Sequence, residues 1–129
     1  MEAQNNILGW FEVPVSDMER AIRFYEEVSA IKMERHLLGP LDMAWFPYNQ
    51  KGMGAAGSLV HSPANYKPSM DGVLIYFSSQ SGDLADELSR IDKAGGKVLM
   101  PKTMISPDVG FMSLFLDSEG NRVAIHSMK

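Results

Sequence analysis

The chain has 129 residues, 45% of them hydrophobic and 22% charged, with a formal net charge of -4, a composition that suits one globular domain with its own core and leaves no room for two large ones. The absence of cysteine excludes disulfides, thiolate nucleophiles, iron–sulfur clusters and cysteine zinc sites, and an acidic balance without a basic run argues against a nucleic-acid or anionic-membrane partner. No run approaches the roughly 18 apolar residues of a membrane span, and MEAQNNILGW lacks the basic and apolar parts of a signal peptide, so a cytoplasmic location is expected.

Residues 9–28, GWFEVPVSDMERAIRFYEEV, pass from a two-residue to a helical period. Phe11, Val13 and Val15 fall on one side of a strand, which reads as the core face. Trp10, Glu12 and Pro14 fall on the other, either an exposed face or a pocket wall that sets an indole beside a carboxylate. Ser16 with Glu19 three residues on predicts a capping box. Met18, Ala21, Ile22, Tyr25 and Val28 then recur at helical spacing, and Glu19, Arg20, Arg23, Glu26 and Glu27 form a solvated face in which Glu19 and Arg23 are ordered for an i,i+4 pair.

Ile31–Leu37 reads as a strand, Gly39-Pro40 as a turn and Leu41–Tyr48 as the next strand. After a polar turn at Asn49–Gly54, Ala55–His61 reads as a third strand, where Gly57 and Ser58 leave room for a ligand or another backbone. Ser62–Ser69, with Pro63 and Pro68, is an extended link. Val73, Ile75 and Phe77 repeat the one-faced opening strand, and Leu84, Leu88 and Ile91 repeat its helix, which stops at Gly95-Gly96. Lys97–Ile105, Gly110–Asp117 and Arg122–Ser127 supply three more strands, the last two joined by a turn at residues 118–121. The order strand, helix, three strands therefore occurs twice. Matching Val13 with Ile75 gives an offset of 62, and Lys32 with Lys97 gives 65, which places an insertion near Gln80–Asp83.

One such unit is a small sheet with a helix on one side, and its open face needs a partner. The expectation is an α+β fold in which two units, about 7–62 and 70–128, make a single domain over 1–129 with a concave interface suited to a small molecule. Ten methionines either fill the core or make a malleable apolar pocket.

FEVPVSDMERAIRFYEEV, AGGKV after the second helix and the closing FLDSEGNRVAIHS together resemble the vicinal oxygen chelate superfamily of glyoxalases, bleomycin resistance proteins and extradiol dioxygenases. The resemblance covers nearly the whole chain. It implies paired βαβββ modules around a curved, sheet-lined cavity, helices on the outer face and commonly a homodimer, sometimes with modules exchanged. It also implies four metal-ligand positions. Three of them fall on Trp10, Gly72 and Ala124, whose side chains bind no metal, and the second falls near Ser58, a poor ligand alone. No metal or other cofactor is therefore expected, the alternative being one divalent metal at a non-standard site.

By the same resemblance Leu74 and Tyr76 line the cavity with Gly72, and His126 shares the parity of Ala124 and looks inward with Trp10 and Glu12. Glu12 and His126 are the candidate acid–base pair; the other reading of His126 is a strand-end histidine satisfied by backbone or water. His36 and His61 read as surface or dimer-edge residues. Lys102 is either an anion contact at the mouth or a solvated lysine. The ligand-binding set is thus Trp10, Ser58, Gly72, Leu74, Tyr76, Lys102 and Ala124, with no metal residues. The expected function is binding of a small organic molecule. The alternatives are a lactoylglutathione-lyase-like lyase or isomerase, and an accessory dimer whose cavity is merely packed.

Overall fold

The computed structural model describes residues 2–129. The first strand, β1 (Trp10–Pro14), leads into helix α1 (Met18–Ser29), followed by β2 (Glu34–Leu38), β3 (Leu41–Trp45) and β4 (Ala56–His61). The second half repeats the order with β5 (Tyr76–Ser78), α2 (Leu84–Ala94), β6 (Lys97–Ser106), β7 (Gly110–Leu116) and β8 (Arg122–Ser127). Each half makes one four-stranded sheet, β1-β4-β3-β2 and β5-β8-β7-β6. In each, the first strand pairs parallel with the last and the remaining pairs are antiparallel, so the expected paired βαβββ arrangement is present.

The start of α1 differs from the capping box read in the sequence. Asp17 is the N-cap, extended at φ -133°, ψ 104°, and its carboxylate accepts from the Arg20 N–H. The Ser16 N–H is instead taken by Glu119 of the turn between β7 and β8, at 2.9 Å. A side chain distant in sequence thus satisfies the donor that a local box would have served. Glu119 also accepts from both Nε and Nη2 of Arg20, while the expected Glu19–Arg23 pair is not among the ion pairs of the described residues. The helix ends on Ala30 in the left-handed region, φ 54°, where α2 ends on Gly95 at φ 108°.

Val13, Val15, Met18, Ala21, Tyr25 and Val28 are buried as their periodicity requires, and Phe24, outside that reading, joins them with Leu84, Ile91, Phe115, Val123 and Ile125 in one continuous core. The two halves meet through α1 against α2 and through an aromatic cluster. Tyr25 lies 5.4 Å from both Phe46 and Phe77, which are 5.5 Å from each other, and Phe11 lies 5.7 Å from Phe77. The Tyr25 hydroxyl crosses between halves to donate to Asp117 at 2.7 Å. Asp117 also accepts from Asn121 and the Glu119 N–H, and Asn121 donates to the Pro14 carbonyl. Burial pushes the Asp117 carboxyl up, and these hydrogen bonds pull against that shift.

Three sequence expectations are corrected here. The second unit's opening strand is only three residues long, and Val73 is 91% exposed instead of continuing the Ile75–Phe77 core face; the backbone bends through residues 70–72, so parity is not carried upstream. Gly57 leaves no room for a ligand. It opposes Phe11 on the helix side, and a Cβ there would lie 2.4 Å from the Phe11 ring. The repeat offset also shifts. Ser79 donates to the His126 carbonyl as Val15 does to Val60, which makes Ser78 the counterpart of Pro14 and the strand offset 64 (78 − 14). The second unit's counterpart of Trp10 is therefore Leu74, not Gly72.

Candidate functional site

Ladder registers settle which side chains share a face. On the first sheet, Glu12 opposes Ser58, Ser58 opposes Trp45 and Trp45 opposes Glu34, forming one row across all four strands. Trp10, Ala56, Met43 and His36 stand on that same face, opposite the side covered by α1. Trp10 meets Trp45 edge-on, with centroids 5.7 Å apart and planes at 78°, and His36 stacks on the other ring at 3.9 Å. The Trp10 indole N–H donates to Glu12 Oε2 at 3.3 Å, and the Tyr66 hydroxyl donates to Glu12 Oε1 at 2.7 Å. That hydrogen bond, and then the Glu12 charge, raise the Tyr66 phenol above its ordinary range.

A cavity of about 940 Å³ opens along the seam between β1 and β5, the edge strands of the two sheets. Trp10, Glu12, Leu8 and Ala56 line it from the first half. The 46–55 connection contributes Tyr48 and Met53, and Gly72, Val73, Leu74 and Tyr76 line it from the second. Its walls are largely apolar and several are exposed in the single chain: Met53 fully, Val73 by 91%, Tyr76 by 51% and Trp10 by 41%. The polar contribution comes from Glu12, Ser29, Asn49, Lys67, Ser69, Ser78, Gln80, Asn121 and Arg122. A concave space with an apolar wall and convergent polar groups is the form that small-molecule pockets take.

Of the site residues expected from the sequence, Trp10, Glu12, Gly72, Leu74 and Tyr76 are brought together at this cavity. Ser58 is buried on the same face, one strand inward from Glu12, and does not reach the cavity wall. Ala124 is fully buried opposite Tyr76. His126 is placed elsewhere: its Nε2 meets the Val109 carbonyl at 2.5 Å, and it does not join Glu12 at the cavity. Lys102 is also away from the mouth. Its ammonium donates to Asp83, the N-cap of α2, at 2.8 Å and lies over the Phe111 ring. His61 Nδ1 donates to the Val15 carbonyl, and His36 is engaged by Glu34.

Sequence reasoning missed Trp45 and Tyr66. Trp45 shares a face with Met43 along its strand, but only the register across β4 places it beside Trp10. Tyr66 lies in the proline-bearing link, where no period says what it faces.

The four metal positions implied by resemblance now carry an indole at Trp10, an alkyl chain at Leu74, a methyl at Ala124 and the Ser58 hydroxyl. Such a donor set does not fit a divalent ion. Among the described residues, no group of three or more His, Asp or Glu side chains converges as a replacement, and no helix is long and apolar enough to cross a membrane.

Residues 7–125 match the family model described as Glyoxalase/Bleomycin resistance protein/Dioxygenase superfamily. The chain belongs to this superfamily. Solved structures agree with the fold of this superfamily member. TnmS3, an antibiotic binding protein from Streptomyces sp. CB03234, is 22% identical with a TM-score of 0.66 over 98% of both chains. A glyoxalase/bleomycin resistance protein from the same Streptomyces is 24% identical with a TM-score of 0.65, over 92% of this chain and 98% of that one. Glyoxalase I from Zea mays is 19% identical with a TM-score of 0.65, over 92% of this chain but 45% of its own, so the chain spans about half the maize enzyme's length. Among curated proteins none matches.

Proposed function

We propose that this superfamily member binds a small, largely apolar organic molecule in the seam cavity and does so without a divalent metal. The observation that carries the reading is the cavity itself: about 940 Å³ of concave space walled by Trp10, Val73, Leu74 and Tyr76, where metal enzymes of this superfamily would need ligating side chains. Exchange of a metal position for Trp10 replaces coordination with aromatic contact area. The fold shared over nearly full length with an antibiotic binding protein supports a binding role. Glu12 fits as a polar anchor, since both carboxylate oxygens already accept hydrogen bonds from Trp10 and Tyr66.

The working form is a homodimer. Edge strands β1 and β5 are unpaired on their cavity sides, and Val73, Met53 and Leu8 expose apolar surface beside them; a second copy covering that surface would enclose the ligand. A cytoplasmic protein with no nucleic-acid or membrane partner is consistent with the acidic composition.

Isothermal titration of compounds that stabilise the protein in a thermal-shift screen tests the binding reading. Trp10→Ala and Tyr76→Ala are expected to weaken binding about tenfold or more, in line with losing a buried aromatic contact. Equal affinity in both variants would place the ligand elsewhere. Turnover of any bound compound, abolished by Glu12→Gln, would instead establish the lyase or isomerase alternative.

A further inference from the structure

Two buried side-chain polar atoms among the described residues lack a hydrogen-bond partner, and they belong to adjacent residues of one sheet face: Trp45 Nε1 and Ser58 Oγ. Trp45 and Ser58 are directly opposed across β3 and β4, and Ser58 is completely buried. Leaving such groups unpaired costs more than a hydrogen bond contributes, so native structures seldom keep them without a water or a ligand in some state. Their surroundings are not those of an inert core. Glu12, next in the row, lines the cavity, as do Trp10 and Ala56 on the neighbouring register position. Trp10 alone among the aromatic groups of this face is substantially exposed, and its polar tie is a 3.3 Å bond to Glu12.

We propose that Trp45 Nε1 and Ser58 Oγ form a closed polar subsite behind Trp10 that receives a neutral carbonyl oxygen of an aromatic ligand, reached when the Trp10 ring swings aside. The inference rests on the ligand-binding reading of the seam cavity and adds the chemistry of the occupant. Two donors, an indole N–H and a hydroxyl, match the two lone pairs of one carbonyl oxygen. An anion is disfavoured because the Glu12 carboxylate stands next to Ser58 in the same row. A cation is disfavoured because the subsite faces its occupant with two hydrogen-bond donors. The aromatic lining made by Trp10 and Trp45 favours an aromatic ketone over an aliphatic one.

The chain has two tryptophans, so its indole N–H resonances report the subsite directly. The ¹⁵N-labelled protein is titrated with acetophenone and, separately, with ethylbenzene, which has the same shape without the oxygen; Trp45→Phe assigns the indole signal. Acetophenone is expected to move the Trp45 indole proton downfield saturably, and Ser58→Ala to weaken that titration about fivefold, a typical loss for one hydrogen bond. Ethylbenzene is expected to shift cavity resonances such as those of Val73 and Tyr76 and to leave the indole unmoved. If both probes shift the cavity alike while the Trp45 signal stays or responds equally, the subsite is overturned and the cavity reading stands. If neither probe perturbs any cavity resonance, both fall. Melting of each variant by circular dichroism separates lost binding from lost folding.

Discussion

Glu119 is the most heavily bonded carboxylate on the surface between the two modules. Its side chain is fully enclosed and accepts from the Ser16 and Asp17 N–H groups, from two nitrogens of Arg20 and from the Ser118 hydroxyl. Burial pushes its carboxyl up, but the hydrogen bonds led by Arg20 outweigh this and bring it down from 4.5 to about 2. A folded pKa below the unfolded one means that stability is present above the unfolded value and lost as pH falls through the folded one. Glu119→Gln is therefore expected to cost about 2 kcal/mol at neutral pH. It should also flatten the stability profile of the native protein between pH 4.5 and about 2, as urea denaturation at a series of pH values will read. The buried Asp117 works in the opposite sense, its carboxyl being raised, while Asp42 beside Arg35 and Asp83 beside Lys102 are lowered and add to the acid limb, of which Glu119 carries the large share. An unchanged acid limb in Glu119→Gln would contradict this assignment.

At the scale of elements, the two helices test their own ends. Asp17 caps α1 and Ser16 does not, so Asp17→Ala is expected to cost about 1 kcal/mol, while Ser16→Ala stays close to zero because Glu119 uses only its backbone N–H. Equal costs would restore the capping box. At the other end, Ala30 holds φ 54° where α2 has Gly95. Ala30→Gly is expected to stabilise by about 0.5–1 kcal/mol, the left-handed strain relieved exceeding the added chain entropy. Gly57→Ala should destabilise by about 1–3 kcal/mol as its methyl meets the Phe11 ring; chemical denaturation measures all four.

These elements also mark what the sequence makes legible. The order of strands and helices, the doubled unit and the Phe11–Val13–Val15 core face follow from period and turn residues, because those signals are local. Asp17 against Ser16, and Leu74 against Gly72 as the counterpart of Trp10, turn on a shift of one or two residues that only hydrogen bonding across the chain decides. Half of the candidate site was readable for the same reason. Trp10, Glu12, Leu74 and Tyr76 share strand parity on short, edge-lying segments, whereas Trp45 and Tyr66 join them only through register and through the path of an irregular link. For Lys102 the sequence leaves an anion contact at the mouth and a solvated lysine both open. The β6–β7 ladder carries register shifts between Met100 and Thr103, and Lys102 is engaged at the α2 N-cap with Phe111.

For the whole molecule, the unpaired β1 and β5 edges and the exposed Val73 predict self-association. Sedimentation equilibrium at micromolar concentration is expected to give a dimer, and Val73→Glu a monomer that keeps its fold; a monomeric native protein would require the cavity to function open. The central claim, organic-ligand binding in the seam cavity without a metal, is tested most directly by a thermal-shift screen of uncharged aromatic compounds in the presence of excess chelator. The result predicted is saturable stabilisation by ligand that chelator does not alter and that Trp10→Ala removes. Stabilisation that appears only when a divalent ion is restored, with near one ion bound per chain, would contradict it.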